Sequence, residues 1–175
     1  MGIYTLGFET TAPAAGAPFF ALGTELELPL MSVLSISVIL NTATVSKIGL
    51  IYSDTKGTAD PTMVSTGINE GEGDSTASSQ GQVATGWTVA PTIAAPPKFL
   101  RKIRLPAVEG AAFEWDWDPM APLTFGGSLL NTVPILLLWN YGAAAASDLT
   151  VTIRWAENRI VSGYRQNYAV QKTVF

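Results

Sequence analysis

Residues 111–119, AAFEWDWDP, place three carboxylates in alternation with three aromatic side chains. Glu114, Asp116 and Asp118 are spaced two apart, and on one face of a strand this spacing comes near the roughly 5–5.5 Å that separates the two carboxyl groups of retaining glycosidases. That chemistry needs one carboxyl group protonated and the other ionised. Three adjacent carboxylates beside a basic strand would all be ionised and salt-bridged, so we expect no catalytic residue here.

The composition excludes most other reaction chemistries. The 175 residues include no cysteine and no histidine, which removes thiolate nucleophiles, histidine bases and the usual transition-metal sites. Residues 68–75, INEGEGDS, offer Asn69, Glu70, Glu72 and Asp74 as oxygen ligands, but the glycines do not fit an EF-hand loop. We therefore predict a protein that is not an enzyme and has no cofactor or metal, with a calcium site at 69–74 as the open alternative to a solvated loop.

The charge content is low for a soluble domain. Charged residues make up 14% of the chain, against roughly 25% in an average domain, while 47% of the residues are hydrophobic. Much of the surface must therefore be neutral or apolar, which favours cover by neighbouring subunits, with a weakly charged monomer as the alternative. The formal net charge of −4 argues against a protein that mainly neutralises phosphates. No basic segment followed by an apolar stretch opens the chain, so no secretory signal is expected.

The hydrophobic pattern predicts an all-β domain. Apolar residues alternate with polar ones, or form short runs between Pro and Gly turns, and no long segment shows helical spacing with capping signals. Roughly eight or nine strands in one domain favour a β-sandwich or a single jelly-roll barrel. The predicted strands are 24–30, 33–41, 45–53, 84–90, 98–105, 111–118, 134–141 and 148–157, with 164–174 as an optional ninth.

The same pattern predicts one barrel domain over residues 18–160. Residues 1–17 are rich in Ala, Gly, Thr and Pro, which is typical of an N-terminal arm. Residues 54–83 are long and polar, which indicates a solvent-facing loop that projects from one end of the barrel. Residues 161–175 predict a C-terminal strand or a tail docked on its own or a neighbouring subunit.

Two consecutive predicted strands carry complementary charges on either side of the connection PAVEG. Paired as an antiparallel hairpin, they place Lys98 opposite Asp118 and Lys102 opposite Glu114, and they gather apolar and aromatic groups on the other face. Such pairs contribute roughly 0.2–1 kcal/mol each, so they fix register more than they stabilise. The charged face is the candidate subunit contact, with residues Lys98, Lys102, Arg104, Glu114, Asp116 and Asp118.

A carbohydrate-binding module is the main alternative, since sugar-binding sandwiches present exposed aromatic rings. The chain has five tryptophans and five tyrosines. Trp115, Trp117, Trp139 and Trp155 lie in alternating or apolar strands, which predicts that they are core residues. Trp87 follows the long polar segment and is the tryptophan expected to be exposed.

The chain resembles viral coat proteins. The resemblance lies in its small size, its eight or nine predicted strands, its N-terminal arm and long polar loop, its low charge content and its lack of Cys and His. The chain is similar in size and strand plan to the small single-jelly-roll major capsid protein of tailless icosahedral viruses with an internal membrane, the group of Thermus phages and haloarchaeal viruses. Haloarchaeal members are expected to be far more acidic than this chain. A phage decoration protein is the alternative within the same class.

The resemblance implies partners and a location. The partners would be other copies of the chain and a larger capsid protein, close to an internal membrane and without specific nucleic acid binding. The protein would be made in the host cytoplasm and reside in the virion. The family's jelly roll has sheets B-I-D-G and C-H-E-F, so a hairpin of 98–105 with 111–118 would make these strands E and F. That lettering requires 164–174 to be a strand.

Overall fold

The computed structural model describes residues 2–24, 31–70, 79, 81–118, 120–125 and 135–157, which form two antiparallel β-sheets packed face to face. The first sheet contains β1 (Gly2–Glu9), β3 (Met31–Leu40), β7 (Ile68–Asn69), β11 (Ala112–Asp116), β12 (Leu123–Phe125) and β14 (Leu149–Glu157). The second contains β2 (Pro18–Thr24), β4 (Ser46–Tyr52), β6 (Val64–Thr66), β8 (Gly81–Ala84), β10 (Arg101–Leu105) and β13 (Leu136–Asn140). The predicted all-β sandwich is confirmed.

Two smaller features complete the described chain. A two-stranded sheet pairs β5 (Thr58–Ala59) with β9 (Trp87–Val89), and a single 3-10 turn spans Pro61–Met63. Asp60 caps that turn, its carboxylate accepting hydrogen bonds from Thr62 N at 2.9 Å and from Thr62 Oγ1 at 2.8 Å. All of these elements lie in the segment between β4 and β10, called here the insertion (residues 53–100).

Strands that are neighbours in the sheets are far apart in sequence. The first sheet has the order β11-β3-β14-β1-β7, with β12 also paired to β3, and the second has the order β10-β4-β13-β2-β8-β6. β1 and β14, from opposite ends of the described chain, pair along their length from Gly2 opposite Glu157 to Glu9 opposite Thr150. Most consecutive long strands, such as β3 and β4, therefore cross from one sheet to the other.

The main core lies between the two sheets. Alternating residues of the first sheet, such as Val38 and Ile153, meet Phe20, Leu50 and Leu138 of the second sheet, and all five side chains are fully buried. On β14 the residues between the core positions point to the other face, as the period of two requires. The first sheet thus has one core face and one more exposed face.

The central strands β2 and β13 of the second sheet are buried on both faces. Every residue of β2 and β13 is buried, which explains the unbroken apolar run PILLLW. The outer face of this sheet carries a second apolar cluster that includes Ile51, Leu137 and Trp139, and half-buried insertion residues such as Val64 and Ile93 pack on it. The prediction that 54–83 is a projecting polar loop is corrected in part: many of its described residues are exposed, but Ala59 and Val64 pack on this cluster, and the segment supplies β6, β7 and most of β8 to sheet edges.

The predicted N-terminal arm, residues 1–17, is also corrected. Residues 2–9 are β1, whose Tyr4 and Leu6 point into the core. Asn140 Nδ2 then donates hydrogen bonds to the carbonyl oxygens of Pro13 and Ala14, at 3.3 and 3.0 Å. The high content of Ala, Gly and Thr in this segment obscures a short alternating strand. An average composition does not distinguish the residues that face the core from those that face solvent.

The predicted hairpin of 98–105 with 111–118 does not form. β10 pairs with β4, placing Lys102 opposite Gly49, while β11 pairs with β3, placing Glu114 opposite Ser37. The connection 106–111 crosses between the sheets instead of turning within one. Of the other predicted strands, 24–30 is described only at its first residue, which ends β2, and 164–174 lies outside the described residues with the rest of 161–175.

Candidate interaction surface

The side of the sandwich formed by β10, the connection 106–111 and β11 is called here the open side. Within the described residues β10 is the terminal strand of the second sheet and β11 is a terminal strand of the first. An edge strand presents alternate backbone N–H and C=O groups without a strand partner. This side therefore offers two strand edges to a partner.

β10 and the residues before it carry a row of basic side chains. Ile103 and Leu105 pack toward the main core, so Lys102 and Arg104 point away from it by alternation. The members of the row are all exposed: Lys98, Lys102 and Arg104. Arg101 is exposed too, but it alternates with Lys102 and so lies on the side of Ile103.

Lys102 is positioned by two aromatic rings. Its Nζ lies 4.6 Å from the ring centroid of Phe99 and 4.9 Å from that of Tyr141. Phe99 lies directly on Gly49, where a Cβ atom would clash with its ring. The Tyr141 hydroxyl donates a hydrogen bond to the carbonyl oxygen of Ile103 at 3.2 Å. The ammonium group is therefore held on the outer surface of the sheet by cation–π contacts.

β11 carries the matching acidic row. The predicted alternation is confirmed within the strand, because Trp115 is buried in the core while Glu114 and Asp116 are exposed. Asp118, just past the strand, is exposed and its Oδ1 accepts a hydrogen bond from Met120 N at 2.8 Å. Glu114 and Asp116 thus face solvent on the outer side of the first sheet, and Asp118 is exposed just beyond the strand.

Exposed apolar side chains lie close to both charged rows. Leu100 is 36% exposed, Val108 in the connection is 56% exposed, and Phe113 is 39% exposed. Phe113 packs edge-on against Trp115, with ring centroids 5.2 Å apart, so it lies on the core-facing side of β11. The open side therefore combines a basic strand, an acidic strand and apolar groups on and between them.

The two rows form no salt bridge with each other. Among the described residues the one ion pair joins Arg154 Nε to Glu70 Oε2, at 2.9 Å. The structure thus brings the six candidate residues to one side of the sandwich but places them on two sheets. The charged residues that were predicted to pair within the chain are therefore exposed and can contact another molecule.

The opposite side of the sandwich is called here the covered side, because strands of the insertion extend both sheets there. β7 extends the first sheet and β8 and β6 extend the second. Between them lies an open cleft of about 770 Å³, lined by residues that include Leu6, Lys56, Val64, Ile68 and Gln82. Lys56 is the only ionisable residue among the described lining residues.

The covered side contains a buried carboxylate that the sequence does not indicate. Glu157, at the end of β14, is 0% exposed, and its Oε1 accepts hydrogen bonds from Ser79 Oγ, Gly81 N and Trp155 Nε1 at 2.5, 2.8 and 2.9 Å. These bonds fasten the insertion to the end of the first sheet. The sequence gives no signal for this role, since the partners lie more than seventy residues away or on the same strand.

The tryptophans do not form an exposed platform. All five lie within the described residues, and none is exposed. Trp115, Trp139 and Trp155 are buried as predicted, and Trp117 is half-buried against the core. Trp87, expected to be exposed, is half-buried against the second apolar cluster, and its Nε1 is buried without a hydrogen-bond partner.

Other kinds of site find no support in the described part of the chain. No three acidic, His or Cys residues there are grouped to hold a metal ion, and Glu70 is paired with Arg154. Glu72 and Asp74 of the acidic loop lie outside the described residues. No described helix is long and apolar enough to cross a membrane. Comparison with protein-family models, with curated proteins and with solved structures finds no match to this chain.

Proposed function

We propose that this chain is a structural coat subunit of a virus particle, built on a single jelly roll. The strand order carries the proposal. With β1, β2, β3, β4, β10, β11, β13 and β14 lettered B to I, the first sheet contains the order B-I-D-G and the second contains C-H-E-F. Viral capsid domains are one of the main users of this two-sheet arrangement.

The lettering differs from the one that the hairpin implied. E and F are β4 and β10, which pair from Arg101 opposite Leu50 to Leu105 opposite Ser46. β11 is then G, and β14 is I. All eight letters fall within the described residues, so a strand at 164–174 is not needed to complete the order.

Features outside the strand order also favour a structural role. The charged fraction is 14%, and the open side leaves two edges with complementary charges. Among the described residues that line the covered cleft, Lys56 is the one ionisable residue, so these residues include no pair of carboxyl groups of the glycosidase type. The half-buried position of Trp87 does not favour a sugar platform. In the proposed particle the partners are further copies and a larger capsid protein, over an internal membrane.

The proposal is tested on the native source. An antibody against the purified chain follows it through a density gradient of lysate, and each fraction is assayed for DNA, lipid and copy number. Co-migration at high copy number with a particle containing both DNA and lipid supports a coat subunit of a membrane-lined capsid. A DNA particle without lipid supports an ordinary phage coat or a decoration role, which copy number then separates. Recovery solely among small soluble species contradicts the proposal.

A further inference from the structure

We infer that the open side is a contact between two copies of this chain, in which β10 of each copy pairs antiparallel with β11 of the other. The inference rests on the proposed function, because it names a lateral contact by which coat subunits meet. The partner is a second copy because the chain carries both of the complementary rows on one side. A contact that uses the same surface on both copies can satisfy all of the charges at once.

Charge selects one of the two possible two-fold arrangements. A two-fold axis parallel to the strands places the basic row of each copy against the acidic row of the other, and does so twice. A two-fold axis across the strands would place β10 against β10 and β11 against β11, so that like charges meet. Like charges directly opposite each other destabilise a strand pair, and therefore the axis runs along the strands.

The faces of the strands agree with this arrangement. Lys102 and Glu114 both point to the outer faces of their sheets, while Ile103 and Phe113 both lie on the core side. When β10 meets the partner's β11 about this axis, the second sheet of one copy continues into the first sheet of the other with outer faces aligned. A one-residue slip would reverse the faces and bury the charges.

The register is the one that the sequence suggested for a hairpin. With Lys102 opposite Glu114 of the second copy, Ile103 falls opposite Phe113. Lys98 and Asp118, which lie just outside the two strands, come to the same end of the strand pair. The opposite charges of the two rows, which do not pair within one chain, thereby pair between two chains. Two such strand pairs in one dimer also provide backbone partners for both open edges.

Apolar side chains supply the centre of the contact. Leu100, Val108 and Phe113 lie near the strands that meet, and all three are exposed in the single chain. The axis between the charged rows places these groups close to their counterparts in the second copy. An apolar centre with a charged rim is the usual anatomy of a protein interface.

The first experiment reverses each row in the full-length chain. One variant carries Lys98→Glu, Lys102→Glu and Arg104→Glu, and a second carries Glu114→Lys, Asp116→Lys and Asp118→Lys. Sedimentation equilibrium at low salt is expected to show a dimer for the unmodified chain. In each variant all facing charges become alike, and the dissociation constant is expected to rise about a hundredfold or more.

Mixing provides the control for folding. The two variants have opposite rows throughout, so an equimolar mixture is expected to form a one-to-one heterodimer although neither variant forms a homodimer. A variant with all six substitutions has complementary rows again and keeps the formal net charge of −4, and it is expected to dimerise. Heterodimer formation shows that both variants are folded at this surface. A mixture that stays monomeric, while circular dichroism shows both variants folded, overturns the inference.

A second experiment tests the axis, since the chain has no cysteine of its own. The double variant Lys102→Cys with Glu114→Cys is expected to form an intermolecular disulfide on mild oxidation. A disulfide within one copy is excluded, because packed sheets lie about 10 Å apart and a disulfide needs Cα atoms within about 7 Å. The single variants Lys102→Cys and Glu114→Cys are expected to stay uncrosslinked. Crosslinking of either single variant overturns the proposed axis, and no crosslink in the double variant overturns the register.

The result separates this inference from the proposed function. An unmodified chain that is monomeric at every concentration, or a dimer unaffected by both reversals, overturns the contact. Recovery of that chain in a virus particle would leave the coat proposal standing. A dimer with these properties that is never found in a particle would keep the contact and contradict the coat proposal.

Discussion

The open and covered sides are the two ends of the same pair of sheets, and they treat the strand edges differently. On the covered side the chain extends both sheets with β6, β7 and β8 and fastens them through Trp155 and Glu157. On the open side the described parts of the two sheets end at β10 and β11, whose exposed residues are mostly charged. Exposed edges promote pairing with other chains, so a protein must cover them or control what they bind. The covered side hides its edges under further strands, and the open side carries charged residues along its edges.

The largest expected effect comes from breaking the covered side at Trp155. This side chain is fully buried, stacks on Tyr4, and packs so closely on Gly67 and Gly81 that neither position has room for a Cβ atom. Trp155→Ala should lower the free energy of unfolding by about 3–5 kcal/mol in denaturant titrations. The matched control is Trp117→Ala, since Trp117 is half-buried at the open side and should lose less. Equal losses would contradict the difference between the two sides.

A smaller effect is expected from the buried carboxylate on the same side. Glu157→Gln keeps the shape but removes the charge that accepts three hydrogen bonds. Hydrogen bonds to charged groups contribute about 1.5–3 kcal/mol, so a loss of that order is expected, with faster hydrogen exchange at the Gly81 amide. Glu9→Gln, at the exposed far end of the paired strand β1, is the control and should leave stability almost unchanged. Unchanged exchange at Gly81 would show that Glu157 does not hold the insertion.

On the open side a charge should contribute much less to the stability of the single chain. Lys102→Met keeps most of the apolar stem and removes the ammonium group that lies over Phe99 and Tyr141. The expected loss in the free energy of unfolding is about 0.5–1 kcal/mol, measured under conditions where the protein is monomeric. Arg104→Met is the control, because the described residues show no ring contact for Arg104. A loss as large as that of Glu157→Gln would mean that the row serves folding.

The smallest effect is expected at Asp60, which caps the turn Pro61–Met63 in the insertion. Hydrogen bonds from the Thr62 backbone N–H and hydroxyl lower the pKa of the Asp60 carboxyl group. A lowered native pKa means that the contribution to stability is present above the ordinary Asp pKa and is lost as the pH falls through the native one. Wild type and Asp60→Ala should therefore differ most near neutral pH and converge in acid, as measured by unfolding at several pH values. A gap that widens in acid would contradict this assignment.

The strand content followed from local patterns. The predicted strands 33–41, 45–53, 134–141 and 148–157 coincide closely with β3, β4, β13 and β14. Alternation also gave the faces of 111–118, with Trp115 inside and the carboxylates outside. These features depend on the period of two in a single strand, which needs no knowledge of the partner.

Two local predictions failed because a short segment took part in long-range packing. The sequence predicts an arm at 1–17, where β1 lies, since the apolar residues of β1 are followed by a long run of small ones. The sequence predicts a solvent-facing loop at 54–83, since this segment is polar on average, although Ala59 and Val64 pack on the outer face of the second sheet. Averages over a segment do not show that a few apolar positions face a sheet.

The sequence by itself determined that the chain folds into β-strands and which residues of most strands point inward. Tertiary structure alone decided which strands pair, and hence that β10 and β11 belong to different sheets. The physical reason is that a strand's backbone hydrogen bonds are the same for any partner, so the choice depends on burying both sheets against each other. The charges on Lys98, Lys102, Glu114 and Asp118 suggested a pairing within the chain, and the fold does not make it because the two strands lie in different sheets.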